Sequence, residues 1–243
     1  MRVKLVLLLL LFSATTYAQF AVKAVDKGAR RLYAFTYAGT AIAHPVLTTH
    51  TPGYNVGNES EGMLLSGELY LDNRWNIEAG YYRTEVGYGI GDRTMEGLTS
   101  RIKKYFVPEN IFIQPYLGAG VELNWGDGSE HNNMGFSLNG SEPVYHWQET
   151  TNPRISFVPS VGCDLYLFSS LAFVIDYRFS MGVASHTNIY SDKMETMKEL
   201  GDNGFYHGLN LGVKVSFPFR FTSSDGQSLL FLLFSALFDR YYE

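Results

Sequence analysis

The segment from Arg154 to Val183 alternates apolar residues with polar or small residues over two long runs. The runs, 155–167 and 171–183, are separated by a tight turn at Ser169 and Ser170. Successive residues of a β-strand point to opposite faces, so two runs that alternate with period two predict a hairpin. Each run is longer than the usual strand of about five or six residues. One nearly continuous apolar face and one polar face are typical of a transmembrane β-barrel with a polar lumen.

Six further segments alternate in the same way, which gives eight predicted strands. They are 32–43, 62–71, 75–82, 95–106, 111–125 and 205–219. In the first of them, the pattern places Ile42 with Thr36 and Thr40 on the polar face. A soluble lipocalin-like barrel would need the opposite arrangement, with an apolar interior and a polar exterior. The sequence therefore predicts an all-β fold, an eight-stranded antiparallel up-and-down transmembrane β-barrel.

The predicted connections also alternate in length. Those after the second, fourth and sixth strands are short, whereas those after the first, fifth and seventh are long. Short turns on the periplasmic side and long loops outside are typical of outer-membrane barrels. The two longest connections, Gly126–Pro153 and His186–Gly204, are predicted to be extracellular loops.

The N-terminus has the features of a cleaved signal peptide. Arg2 and Lys4 precede the apolar run Leu5–Phe12, and Thr16–Ala18 offers small residues for a signal peptidase. The apolar run is shorter than the roughly 20 residues that a membrane-spanning helix needs. The predicted regions are a signal peptide (1–18), a periplasmic lead (19–31), the barrel (32–221) and a C-terminal tail (222–243). The tail is either an interfacial helix or a periplasmic docking segment.

Composition excludes several classes of function. A net charge of −5 and a pI of about 5.7 leave no basic stripe for nucleic acid. The single cysteine, Cys163, cannot form an internal disulfide and lies on an apolar strand face. His131 and His146 share the longest loop with acidic residues but lack the close spacing of metal ligands. We therefore expect neither a cofactor nor a metal site.

The polar strand faces carry charges that the barrel would enclose. An eight-stranded barrel is just wide enough for its own side chains, and an unpaired charge inside it is unfavourable. The predicted network therefore pairs acids with bases across strands. Its members are Glu68, Glu78, Arg101, Lys103, Glu122, Asp164, Asp176, Arg178 and Lys214. We expect this network to plug the lumen, and a narrow ion or proton path through the same residues is the alternative.

Two runs carry a resemblance to a known family. The run QPYLGAGVEL (114–123) and the aromatic-ended last strand VKVSFPFRF (213–221) resemble the small eight-stranded outer-membrane β-barrels, of which the OmpA-like transmembrane domain is an example. The resemblance implies contact with outer-membrane lipid and insertion by the barrel-assembly machinery of a Gram-negative bacterium. It also implies a structural or surface-binding role with an unidentified extracellular ligand. The chain differs from the family in continuing 22 residues past Phe221.

Two sets of outer residues are candidates for function. Trp125, Tyr145 and Trp147, in or beside the longest loop, are the predicted ligand contacts. Ser185 and His207 both fall on the lipid-facing side of the alternation. If the seventh and eighth predicted strands pair symmetrically about the loop between them, the two residues lie opposite each other. A Ser–His pair facing lipid could hydrolyse an ester, so a lipid-modifying enzyme is the alternative to a non-enzymatic barrel.

Overall fold

The computed structural model describes residues 31–47, 61–72, 74–88, 91–108, 111–126, 128–136, 143–191, 198–200, 202–220, 225–227 and 229. The strands within these residues are β1 (Tyr33–Leu47), β2 (Gly62–Tyr70), β3 (Trp75–Tyr88), β4 (Gly91–Tyr105), β5 (Ile113–Asn124), β6 (Ser129–Phe136), β7 (Pro143–Thr151), β8 (Ile155–Tyr166), β9 (Leu171–Gly182), β10 (His186–Ser191), β11 (Lys198–Leu200) and β12 (Asp202–Phe217).

Eight of these strands close into a barrel in the order β1-β12-β9-β8-β5-β4-β3-β2. Every neighbouring pair in the barrel is antiparallel, and β12 pairs with β1 to close the ring. The predicted eight-stranded transmembrane barrel is therefore confirmed. The short connections after β2, β4 and β8 lie at one end of the barrel, which by the usual asymmetry is the periplasmic end.

Burial alternates along the barrel strands as the sequence predicts. In β5, Tyr116 is fully buried, whereas the next residue, Leu117, is 52% exposed. The outward side chains are mostly large and apolar, among them Leu65, Leu98, Ile102, Val121, Phe157, Val161 and Val213. Since the period is two, a slip of one residue would turn a strand's apolar side chains into the lumen and its charges into lipid. The two faces therefore fix the register.

A bulge in β1 corrects one assignment. The register of β1 against β12 shifts between Thr40 and Ile42, and Ile42 is 45% exposed on the outer face. The prediction that grouped Ile42 with Thr36 and Thr40 was wrong, because the extra residue of a bulge reverses the alternation beyond it.

The two segments predicted to be extracellular loops contain strands, so the expectation that they are irregular loops was wrong. β6, β7, β10 and β11 form a second sheet in the order β11-β10-β7-β6, which we call the outer sheet. The pairing of β7 with β10 joins the insertion between β5 and β8 to the insertion between β9 and β12. Strands that carry polar residues on both faces show no apolar alternation, which explains why the pattern missed them.

The chain ends lie largely outside the described residues. The predicted signal peptide and all of the predicted lead except Arg31 lie outside the described residues. In the tail, Asp225–Gln227 is helical, and the buried Asp225 carboxylate accepts hydrogen bonds from the backbone N–H and hydroxyl of Ser169, at 3.0 and 3.2 Å. Apart from Leu229, the rest of the tail is outside the described part, and so is the choice between an interfacial helix and a docking segment. No helix among the described residues is both long and apolar enough to cross a membrane.

Candidate functional site

The barrel interior holds all nine residues of the predicted charge network. Each is at most 4% exposed, and each points inward from a barrel strand. The residues are Glu68, Glu78, Arg101, Lys103, Glu122, Asp164, Asp176, Arg178 and Lys214. They form an upper group, toward the extracellular end, and a lower group, toward the periplasmic turns.

Arg101 of β4 is the centre of the upper group. Its Nε and Nη2 donate to Oε1 of Glu78 at 2.9 and 2.6 Å, and its Nη1 lies 3.0 Å from Oδ2 of Asp176. Arg178 lies beside it and donates from Nε to Oδ2 of Asp176 at 2.7 Å. Nη1 of Arg178 also lies 3.7 Å from Oε1 of Glu122. Two guanidinium groups thus share three carboxylates contributed by β3, β5 and β9.

Lys214 of β12 is the centre of the lower group. Its ammonium nitrogen lies 2.8 Å from Oε1 of Glu68 and 2.5 Å from Oδ2 of Asp164. Lys103 joins the two groups, because its Nζ is 2.6 Å from Glu68 Oε1 and 2.5 Å from Glu78 Oε2. The ion pairs therefore form one connected network, in which every cation contacts at least two carboxylates.

Buried tyrosines hydrogen-bond the same carboxylates. The hydroxyl of Tyr105 donates to Asp164 at 2.8 Å, that of Tyr116 to Asp176 at 2.9 Å, and that of Tyr206 to Glu122 at 3.2 Å. Removing a carboxylate from water is unfavourable unless its oxygens are paired and hydrogen-bonded, and these phenols add to the pairing. The tyrosines also fill volume between the charged groups.

Glycines make room for two large side chains of the interior. A Cβ at Gly120 would overlap the Arg101 side chain and the Ser100 carbonyl, and a Cβ at Gly162 would overlap the Tyr116 ring. The side chains of Arg101 and Tyr116 therefore extend across the lumen above strand positions that have no side chain. This packing leaves no space at these two positions for a larger residue.

An apolar layer covers the charge network on the extracellular side. It comprises Ala38, Ala43, Leu64, Tyr82, Val86, Met95 and Tyr206, all at most 5% exposed. A cavity of about 10 Å³ between this layer and the Glu122–Arg178 pair has room for about one water molecule.

The periplasmic end of the lumen is also filled. The Arg31 guanidinium lies 3.6 Å from the centre of the Tyr166 ring and donates to Gln114 Oε1 at 3.3 Å. Tyr166 in turn contacts Tyr70 through their hydroxyls, at 3.3 Å.

The structure does not place Ser185 opposite His207. The cross-strand partners of His207 are Phe179 on β9 and His44 on β1. Ser185 lies beyond the end of β9, where its hydroxyl donates to the Thr151 carbonyl and accepts from Arg93 Nη2, each at 2.8 Å. The register that suggested a Ser–His pair was wrong, because β9 ends at Gly182 and the chain then enters the outer sheet.

The three predicted ligand contacts lie in different settings. Trp125, just beyond β5, is half exposed, stacks on Tyr81 at 6.0 Å and donates from its indole N–H to Glu96 at 3.0 Å. Trp147 on β7 is 40% exposed, and Tyr145 is on the same strand with its side chain outside the described part. In the outer sheet His131 pairs with Gln148 and His146 with Asn133, and the side chains of both histidines lie outside the described part. Within the described part, no group of three or more His, Cys, Asp or Glu side chains could hold a metal ion.

Two polar residues that the sequence did not single out attach the outer sheet to the barrel. Arg93 of β4 is 2% exposed and donates to the Thr151 carbonyl at 2.9 Å as well as to Ser185. The Asn152 amide donates to the carbonyls of Thr94 at 2.8 Å and Gly126 at 3.3 Å. The β3–β4 hairpin continues past the top of β5, beyond the residues at which the third predicted strand ended and the fourth began.

The closed ring, the apolar outer face and the polar interior define a transmembrane β-barrel of the outer-membrane class. A closed barrel satisfies all strand hydrogen bonds within hydrocarbon, which an open sheet cannot do. The chain is accordingly a protein of the outer membrane of a Gram-negative bacterium.

Comparison with known proteins gives solved structures of the same class. Neisserial surface protein A is 16% identical, with a TM-score of 0.47, and the match covers 79% of this chain and 100% of that one. OprG from Pseudomonas aeruginosa is 14% identical (TM-score 0.44; 77% and 97% covered), and the attachment invasion locus protein Ail of Yersinia pestis is 13% identical (0.41; 77% and 100%). No protein-family model matches the sequence, and neither does any curated protein sequence.

Proposed function

We propose that this protein is a non-conducting, non-enzymatic outer-membrane barrel that anchors and supports a surface-binding outer sheet. The observation that carries the proposal is the continuous filling of the lumen. From Arg31 at one end to Met95 at the other, the described inward side chains form a polar layer, an ion-pair network and an apolar layer.

The ion-pair network favours a plug over an ion path. A permeating ion needs sites that it can enter and leave, whereas each cation of this network is held by at least two carboxylates. The apolar layer around Val86 and Met95 adds a barrier, because a dry constriction opposes the passage of ions. Both features therefore favour a closed lumen over an open path.

The outer sheet is the part best suited to contact a ligand. It projects from the extracellular end, and Arg93 and Asn152 fix it to the barrel. Trp147 presents an exposed aromatic side chain on β7, and aromatic residues are enriched where proteins contact partners. Trp125 has a different setting, since its contacts with Tyr81 and Glu96 on the barrel wall suit an interfacial anchor.

A conductance measurement tests the plug. We expect the folded protein, inserted into a planar lipid bilayer, to give no steady open-channel current, because the lumen is filled along its length. A general porin inserted under the same conditions provides the positive control. A heat-denatured sample of this protein shows whether any occasional current steps depend on the folded barrel. A steady ohmic current from the folded sample alone would contradict the proposal and support the ion path.

A further inference from the structure

Two histidines face each other across the seam where the barrel closes. His44 of β1 and His207 of β12 are direct cross-strand partners. Their inward neighbours Ala43 and Tyr206 are buried, so alternation turns both imidazoles to the outer face, where each is partly exposed. Neither residue belongs to the interior network or to the attachment of the outer sheet.

The two rings are close enough to share one ligand. Their centroids are 5.7 Å apart, with an angle of 55° between the ring planes. Two imidazoles bound to one metal ion through bonds of about 2.0–2.1 Å have centroids roughly 4.5–6 Å apart. The Tyr177 ring, 5.8 Å from that of His207, packs against the pair from β9.

Imidazole pairs are good ligands for borderline divalent metal ions. Neutral imidazole nitrogen suits Zn²⁺, Ni²⁺ and Cu²⁺, and affinity at a given nitrogen site rises to a maximum at Cu²⁺. Two protein ligands leave the remaining coordination positions of the metal ion to ligands from outside the protein. Such a pair of imidazoles favours Cu²⁺ over Zn²⁺ and disfavours the oxygen-seeking Ca²⁺ and Mg²⁺.

We infer that His44 and His207 form a surface site for a borderline divalent cation, bound most tightly as Cu²⁺, that bridges the first and last strands of the barrel. The inference stands apart from the proposed surface-binding function. Because the bridge spans the β1–β12 seam, binding favours the closed barrel over any state in which these strands separate. The ion therefore stabilises the fold by an amount that grows with the logarithm of its free concentration once that concentration exceeds the dissociation constant.

The test uses Cu²⁺ alone with the folded full chain in non-ionic detergent, purified without a polyhistidine tag. The matched variants are His44→Phe and His207→Phe, which keep an aromatic ring at each position and remove the metal-binding nitrogens. We expect saturable binding with a nitrogen-coupled electron paramagnetic resonance signal, and a rise in the thermal unfolding midpoint with added Cu²⁺. Each variant should bind at least tenfold more weakly and lose the rise in midpoint.

His186→Ala is the control, because His186 is an exposed histidine of the outer sheet that contacts Thr151. It should bind Cu²⁺ at the seam like the parent, and any background from other histidines is common to all the proteins. Unchanged affinity in the His44→Phe/His207→Phe double variant would overturn the inference, and so would weaker binding with no change in the midpoint rise. Folding is verified by the heat-dependent shift on gels, and His207→Gln replaces a Phe variant that fails this check.

Discussion

Replacing Arg101 with methionine is expected to lower the free energy of unfolding of the barrel by about 3–5 kcal/mol, because it removes one of the four cations that neutralise the buried carboxylates. Arg101 contacts Glu78 and Asp176 and also donates to the Ser160 hydroxyl at 2.9 Å. Methionine has a similar length and no charge, so the effect comes mainly from Glu78 and Asp176, which each lose one cationic partner and keep Lys103 and Arg178 respectively. Reversible urea unfolding in lipid vesicles, followed by tryptophan fluorescence, measures the difference.

The matched control for this substitution is Arg83→Met on the outer surface. Arg83 pairs with Glu85 at 2.7 Å, but its side chain is 50% exposed. Exposed ion pairs contribute about 0–1 kcal/mol, so this variant should unfold almost like the parent. Equal losses in the two variants, or no loss in Arg101→Met, would contradict the view that the interior charges depend on one another.

Replacing Val161 with arginine is expected to destabilise the folded protein in a bilayer by about 2–4 kcal/mol. Val161 lies near the middle of β8, between Leu117 and Tyr177 of the neighbouring strands, and is 50% exposed on the outer face. In a transmembrane barrel this face contacts acyl chains, where a guanidinium loses its hydration. Vesicle unfolding titrations of the variant and the parent give the difference.

Val183→Arg provides the comparison at another depth. Val183 is 65% exposed but lies just beyond the extracellular end of β9. Arginine near the membrane interface changes stability by about 0–1 kcal/mol, so the same substitution should have little effect there. A loss at position 183 as large as that at position 161 would show that exposure, and not the depth in the bilayer, determines the result.

The barrel could be predicted from the sequence because apolar and polar residues alternate along any strand that has one face in contact with lipid. The hairpin of β8 and β9 was recognisable from alternate residues alone, and its turn at Ser169 and Ser170 lies between the observed strands. The reversal at Ile42 could not be anticipated, since a bulge adds a residue without a distinctive residue type. The outer sheet was missed because strands without a lipid-facing side lack apolar alternation.

The sequence predicted which residues line the interior, but it did not predict which of them pair with each other. The alternation along each strand is enough to place Glu68, Lys103 and Lys214 in the lumen. Their pairing depends on strand register and on how far each side chain extends. The attachment by Arg93 and the register of His207 depend on where β4 and β9 end, and alternation locates strand ends poorly. The distance between His44 and His207, on the first and last strands, follows only from closure of the ring.

Nitroxide accessibility measured by electron paramagnetic resonance tests the central claim most directly, namely that the apolar strand face contacts lipid. A spin label is placed at position 161 or 183 in a Cys163→Ala background and the protein is folded into vesicles. At position 161, we predict strong relaxation by oxygen, which dissolves in lipid, and weak relaxation by a water-soluble nickel chelate. At position 183 the preference should reverse. A label at position 161 that the nickel chelate relaxes more strongly than oxygen would contradict the transmembrane barrel.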